Sequence, residues 1–191
     1  MDASLGFSHR STAALLLLAG FLAGILPGRA QGIRFESAGA RFGFAGDSSG
    51  EGFHQDEGFV DWSLPWEWNL GRSWLLQSRF DLSVGRLGKS WQNAVEGSAG
   101  PVLALGRGKF PLWLEAGSSP TLISRNQFGE PGTTGSKNFG EAFQFTSHIG
   151  FYANLFSKVR VGYRFQHMSN AGISQNNPGL NLHVLAVSYR F

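Results

Sequence analysis

Cysteine is absent from this chain of 191 residues. That excludes a disulfide framework and any chemistry carried by a thiolate. Charge is sparse as well, with 15% Asp, Glu, Lys and Arg and a formal net charge of +3. So mild a balance gives no basis for nucleic-acid binding. Beyond the first 25 residues no apolar run is long enough to cross a membrane as a helix, and no long stretch carries helical periodicity. Metal-ligand spacing is missing too. His54, Glu51, Asp56 and Glu57 cluster, but they match neither a zinc nor an EF-hand pattern and read as a solvated loop. No metal or cofactor is expected.

The N-terminus carries an address. His9 and Arg10 precede an apolar run from Ala13 to Ile25, and Pro27-Gly28-Arg29-Ala30 follows, with Gly28 and Ala30 at the small-residue positions of a cleavage site. This predicts a secretory signal peptide over residues 1–30 and a single domain over residues 31–191. The alternative is an N-terminal membrane anchor, for which the run falls short of the roughly 20 residues a spanning helix needs. Taking Arg10, Arg29 and Asp2 away from 16 Lys+Arg and 13 Asp+Glu leaves the domain a net charge of about +2.

What the chain does contain is glycine (27 residues), aromatics (14%) and alternation. Segments of period two lie near 33–45, 56–69, 73–87, 93–106, 110–124, 139–154, 157–169 and 181–191. Turn signals separate them, among them Gly46-Asp47-Ser48-Ser49-Gly50, Asn69-Leu70-Gly71, Gly106-Arg107-Gly108 and Pro131-Gly132. The first of these matches G-x-S-x-G in form, but that elbow needs a strand before it and a helix after it, so it reads as a turn. Pro65, Pro101 and Pro120 each remove a ladder donor inside a segment.

Eight segments, short turns alternating with longer loops, and an export signal predict an all-β, eight-stranded antiparallel transmembrane barrel of the bacterial outer membrane. A strand can cross lipid only if every backbone group pairs with a neighbour and closure removes the edges. The chain ends on Tyr189-Arg190-Phe191, which resembles the terminal signature read by the barrel assembly machinery. A lipocalin-like soluble barrel has the same strand count with its apolar face turned inward, and alternation alone does not decide between the two. The membrane reading predicts that Val159, Val161, Tyr163, Phe165, Leu185 and Val187 face outward. It assigns Trp62, Trp66, Trp68, Trp74, Trp91 and Trp113 to the interface girdles, and pairs Arg160 and Arg164 inside with acids such as Glu67, Asp81 or Glu115.

Continuing the apolar side of the seventh segment past Phe165 brings His167 and then Ser169 onto it. Two residues apart on a strand, both side chains share a face, roughly 6 to 7 Å apart at the backbone. A serine hydroxyl becomes a competent nucleophile when a base takes its proton, and the base needs a third group to fix its tautomer. Asn170-Ala171-Gly172 follow at once, where a turning strand can aim N–H groups at a developing oxyanion. Nucleophile and base on an apolar stripe suggest chemistry on an apolar substrate at a membrane surface.

The longer pattern His167-Met168-Ser169-Asn170-Ala171-Gly172-Ile173, then Asn177-Pro178-Gly179-Leu180-Asn181 and a final strand, resembles the C-terminal end of the lipid A 3-O-deacylase (PagL-type) family. The resemblance implies an outer-membrane esterase acting on lipid A of lipopolysaccharide among the outer-membrane lipids. It implies His167 as general base, Ser169 as nucleophile, and Asn170 with the Ala171–Gly172 backbone in the oxyanion region. Asn177 matches a further polar position. The family's triad acid stands fourteen residues after the histidine, and here that position is Asn181. Asparagine can orient an imidazole but gives its cation no charge. Glu130 and Glu141 are the acids that could substitute if the fold brought them close. A non-catalytic barrel on the same scaffold is the rival reading. His183 reads as an imidazole at the membrane interface and His148 as a satisfied structural histidine.

Overall fold

The computed structural model describes residues 32–46, 50–133 and 135–191. The expected signal peptide and Asp47, Ser48 and Ser49 of the glycine-flanked turn lie outside the described residues. The elements are β1 Arg34–Ala45, β2 Phe53–Asn69, β3 Trp74–Lys89, β4 Gln92–Arg107, β5 Leu112–Ile123, β6 Gln127–Phe128, β7 Lys137–Asn138, β8 Phe143–Asn154, β9 Val159–Ser169 and β10 Leu180–Arg190. Eight of them close into an antiparallel barrel in the order β1-β10-β9-β8-β5-β4-β3-β2. β6 and β7 form a separate two-stranded ribbon within the loop from β5 to β8.

Exposure decides which face is which. Phe165 is 39% exposed, Leu185 54% and Val187 46%, while their strand neighbours Arg164, Gln166 and Ser188 are buried. The apolar stripe therefore forms the outer wall, as a barrel standing in lipid requires and a soluble lipocalin-like one does not. The polar stripe fills the lumen with ion pairs. Arg41 pairs with Glu57 (3.2 Å) and with Asp81, Arg164 with Glu57 (2.9 Å), Arg79 with Glu115 (3.1 Å) and Arg160 with Glu36 (2.7 Å). The expected partners of Arg160 and Arg164 are thus corrected to Glu36 and Glu57. Strand stagger sets who meets across a lumen, and local sequence does not reveal it.

Three further differences have local causes. Trp113 turns inward and stacks on buried Tyr152 with 6.1 Å between ring centroids, so it is no girdle residue. It sits one position from the outward Leu112 and Leu114, and parity sends it inside. The lumen at the end opposite the termini is apolar: Phe53, Leu87, Phe128, Phe139, Met168 and Leu182 pack there into a plug. Phe139, read as the start of a strand, belongs to that plug, and β8 begins at Phe143.

The prolines sit where ladders lapse. The β2–β3 register shifts between Ser63 and Glu67, around Pro65. On the β4–β5 seam, pairing covers residues 96–98 and 102–106 and lapses between them. Pro101 stands in that gap, as does Pro120 on the facing strand, while each pairs on its other side with β3 or β8. Both missing donors thus fall on one seam.

Candidate active site

β9 and β10 pair antiparallel with His167 opposite Asn181. Parity turns both side chains outward, at the end of the barrel away from the termini. That end carries the long connections 124–142 and 170–179, and the other end carries the short turns 70–73, 108–111 and 155–158. In an outer-membrane barrel the long loops are extracellular.

His167 Nδ1 lies 2.7 Å from Asn181 Oδ1. An amide oxygen accepts, so Nδ1–H donates to it and the lone pair resides on Nε2. That is the tautomer a general base needs. Ser169 follows on the same outward face, paired with Phe145 of β8, while Ser147 stands opposite His167. His167 is exposed, and Ser169 and Asn181 are half-buried. A substrate in the outer wall's surroundings can reach all three. Neither Glu130 nor Glu141 contacts His167 among the described residues; the side chain that meets its Nδ1 is Asn181.

The loop after Ser169 is organised by Asn170, which is fully buried. Its Nδ2 donates to Phe139 O (2.9 Å), Ser174 Oγ (2.9 Å) and Asn176 O (2.7 Å). Its Oδ1 accepts from Gly172 N (2.9 Å), and its own N–H donates to Asn177 Oδ1 (3.0 Å). Asn177 is therefore a loop brace. Of the three residues expected at the oxyanion, Asn170 and Gly172 have their N–H groups occupied within the loop. Ala171 N–H has no acceptor among the described residues, and Ala171 takes a left-handed φ of 54° before Gly172 at 82°. That turn lifts the Ala171 amide out of the ladder.

Sequence reasoning missed Gly179 and Lys137. Gly179 has a φ of +63°, and a Cβ there would stand 2.8 Å from His167 Cε1 and 3.5 Å from Nε2. Lys137 is buried, and its Nζ donates to Gly179 O at 2.7 Å. The Pro178-Gly179 pair signalled a turn but not its closeness to an imidazole.

The remaining candidates sit elsewhere. His183 bonds Tyr163 OH through Nδ1 (2.7 Å) and stacks on Phe44 and Tyr163, an outer-wall aromatic cluster. His148 is buried in the lumen, 4.0 Å from Glu115, and its Nε2 makes no hydrogen bond among the described residues, so it is not the satisfied histidine expected. Asp56 faces outward to Arg86 (2.5 Å) and Glu57 faces inward, so that cluster is split between two faces.

Comparison with known proteins bears on this wall. The family model "Lipid A 3-O-deacylase (PagL)" matches residues 56–190, a span that holds every residue of the site. The protein "Lipid A deacylase PagL" of Bordetella bronchiseptica is 33% identical over 153 residues, covering 74% of this chain and 80% of the relative. The crystal structure of the outer membrane enzyme PagL superposes with a TM-score of 0.67 at 21% identity, covering 80% of this chain and 97% of that one. Neisserial surface protein A reaches a TM-score of 0.50 at 10% identity, over 84% of this chain and 100% of that one, a likeness of fold.

Proposed function

The chain belongs to the lipid A 3-O-deacylase family, and from that premise we propose that it is an outer-membrane serine esterase removing the ester-linked acyl chain at position 3 of lipid A. The observation that carries the mechanism is the 2.7 Å contact between His167 Nδ1 and Asn181 Oδ1, with Ser169 on the same face. Ser169 Oγ attacks the ester carbonyl while His167 Nε2 takes its proton. The tetrahedral oxyanion forms beside Ala171 N–H. Nε2 then returns the proton to the departing sugar hydroxyl, leaving an acyl-enzyme. Water, deprotonated by the same Nε2, releases the fatty acid. Asn181 holds the ring and its tautomer throughout but adds no negative charge.

Around this core stand an export signal cut after Ala30 and a terminal Tyr189-Arg190-Phe191 offered to the barrel assembly machinery. Expression in an outer membrane, followed by mass spectrometry of extracted lipid A, tests the reading. Wild type should produce a species lighter by one acyl chain, and Ser169→Ala should not, while both show the same heat-modifiable migration. The rival, a non-catalytic barrel, draws on the asparagine in the acid's place. Unchanged lipid A with folded wild type would favour it.

A further inference from the structure

The Nδ1 side of His167 is held by Asn181, but a ring held at one atom can still swing about that bond. A second hold comes from the loop between β5 and β8. Lys137 pairs through its backbone with Phe128, which is buried in the apolar plug. Its side chain reaches across to Gly179 O at 2.7 Å. Beside it, Phe139 O accepts from Asn170 Nδ2 at 2.9 Å. Residues 137–139 therefore grip both ends of the 170–179 loop. Lys137 is only 5% exposed. Withdrawing an ammonium from water is costly, so a buried one bonded to a backbone carbonyl fixes that carbonyl firmly. The fixed residue is Gly179, whose backbone lies along the Cε1–Nε2 edge of His167.

We propose that Lys137 is a positioning residue for the catalytic pair: by seating Gly179 O it holds the glycine backbone against the His167 ring and so limits the swing of Nε2 away from the face it shares with Ser169. The inference rests on the serine-esterase reading of His167 and Ser169. It explains why residue 179 is glycine, since a Cβ would displace the ring. It also assigns the loop from β5 to β8 a share in catalysis, although none of its described residues bonds to His167 or Ser169.

A fluorophosphonate probe tests this without lipid A. Ser169 Oγ forms a bond to phosphorus, the P–F bond breaks, fluoride leaves, and the serine proton passes to His167 Nε2. The full chain is compared as wild type, Lys137→Met and Lys137→Arg, at matched folded amounts. Misplacing a catalytic group by about 1 Å costs on the order of 100-fold, so Lys137→Met should slow phosphonylation by about 10- to 100-fold. Deacylation kcat should fall by the same factor, with KM unchanged. Lys137→Arg should recover most of the rate, because it keeps a donor for Gly179 O. Wild-type phosphonylation in folded Lys137→Met, or a loss confined to KM, overturns the proposal. If Lys137→Met does not fold, Gly179→Ala tests the same contact from the other side, and a wild-type rate there overturns it. A wild type that is phosphonylated but leaves lipid A intact defeats the substrate assignment alone. A wild type that the probe never labels defeats the esterase reading and this proposal together.

Discussion

Asn181→Asp should make the enzyme faster. The amide oxygen already stands 2.7 Å from His167 Nδ1, and aspartate is isosteric, so a carboxylate oxygen would occupy the same place. What changes is charge. Two unit charges about 4 Å apart interact by roughly 4 kcal/mol at an effective dielectric constant of about 20. The site is not enclosed: His167 is exposed and Asn181 half-buried. Solvent screening reduces the gain to about 2 kcal/mol of stabilisation for the imidazolium formed as Ser169 attacks. That corresponds to about a 30-fold rise in kcat. It is well below the roughly 10⁴-fold effect of the exchange in a trypsin-type triad, where asparagine also imposes the wrong tautomer. Here the amide presents its oxygen, so only the charge is missing. An acidic side chain near the interface costs the fold at most about 1 kcal/mol. The assay is the deacylation rate on purified lipid A in mixed micelles, for wild type, Asn181→Asp and Asn181→Ala at equal folded amounts. Asn181→Ala should be slower than wild type. If Asn181→Asp is no faster and Asn181→Ala no slower, the contact has no part in catalysis and the reasoning fails.

Other perturbations separate fold from chemistry. Asn170→Ala orphans several buried loop groups at about 1–3 kcal/mol each, so it should lower activity and speed proteolytic cutting between residues 170 and 179. Arg79→Met takes the guanidinium from Glu115 and leaves Asp61 with Arg160, at 4.0 Å, as its remaining ion-pair partner among the described residues. It should cost about 3–5 kcal/mol, read as a lower denaturant midpoint, with little effect on kcat in the surviving folded fraction. Leu185→Arg places a cation on the outer wall and should cost about 2–4 kcal/mol if that position lies near the bilayer midplane, measured by reversible unfolding in lipid vesicles.

The barrel was legible because alternation is a local property. Eight stretches of period two map onto eight strands, and the outward stripe of β9 and β10 is the one the apolar residues name. Partners across the lumen were not legible, since Arg160 meets Glu36 only through the stagger of the closed sheet. Trp113 misled because an aromatic residue suits a girdle and a lumen equally, and only its parity against Leu112 and Leu114 tells them apart. The apolar plug was hidden for the same reason: Met168, Leu180 and Leu182 lie on the inward stripe, where polar residues were expected. The shared outward face of His167, Ser169 and Asn181 was legible, two from parity on one strand and the third from the family's spacing, while the roles given to them are proposed. Lys137 and Gly179 were not, because 42 residues separate them and a loop closes the gap.

On the proposed mechanism, the outward parity of His167 and Ser169 also sets the units in which this enzyme counts its substrate. A cleft open to solvent samples molecules per litre. A nucleophile mounted on the outer wall of a barrel samples neighbours in a sheet one molecule thick, arriving by lateral diffusion. Its saturation is then governed by the mole fraction of substrate among surrounding amphiphiles. Diluting the lipid with inert detergent at fixed bulk concentration slows turnover, and adding water to the same micelles does not.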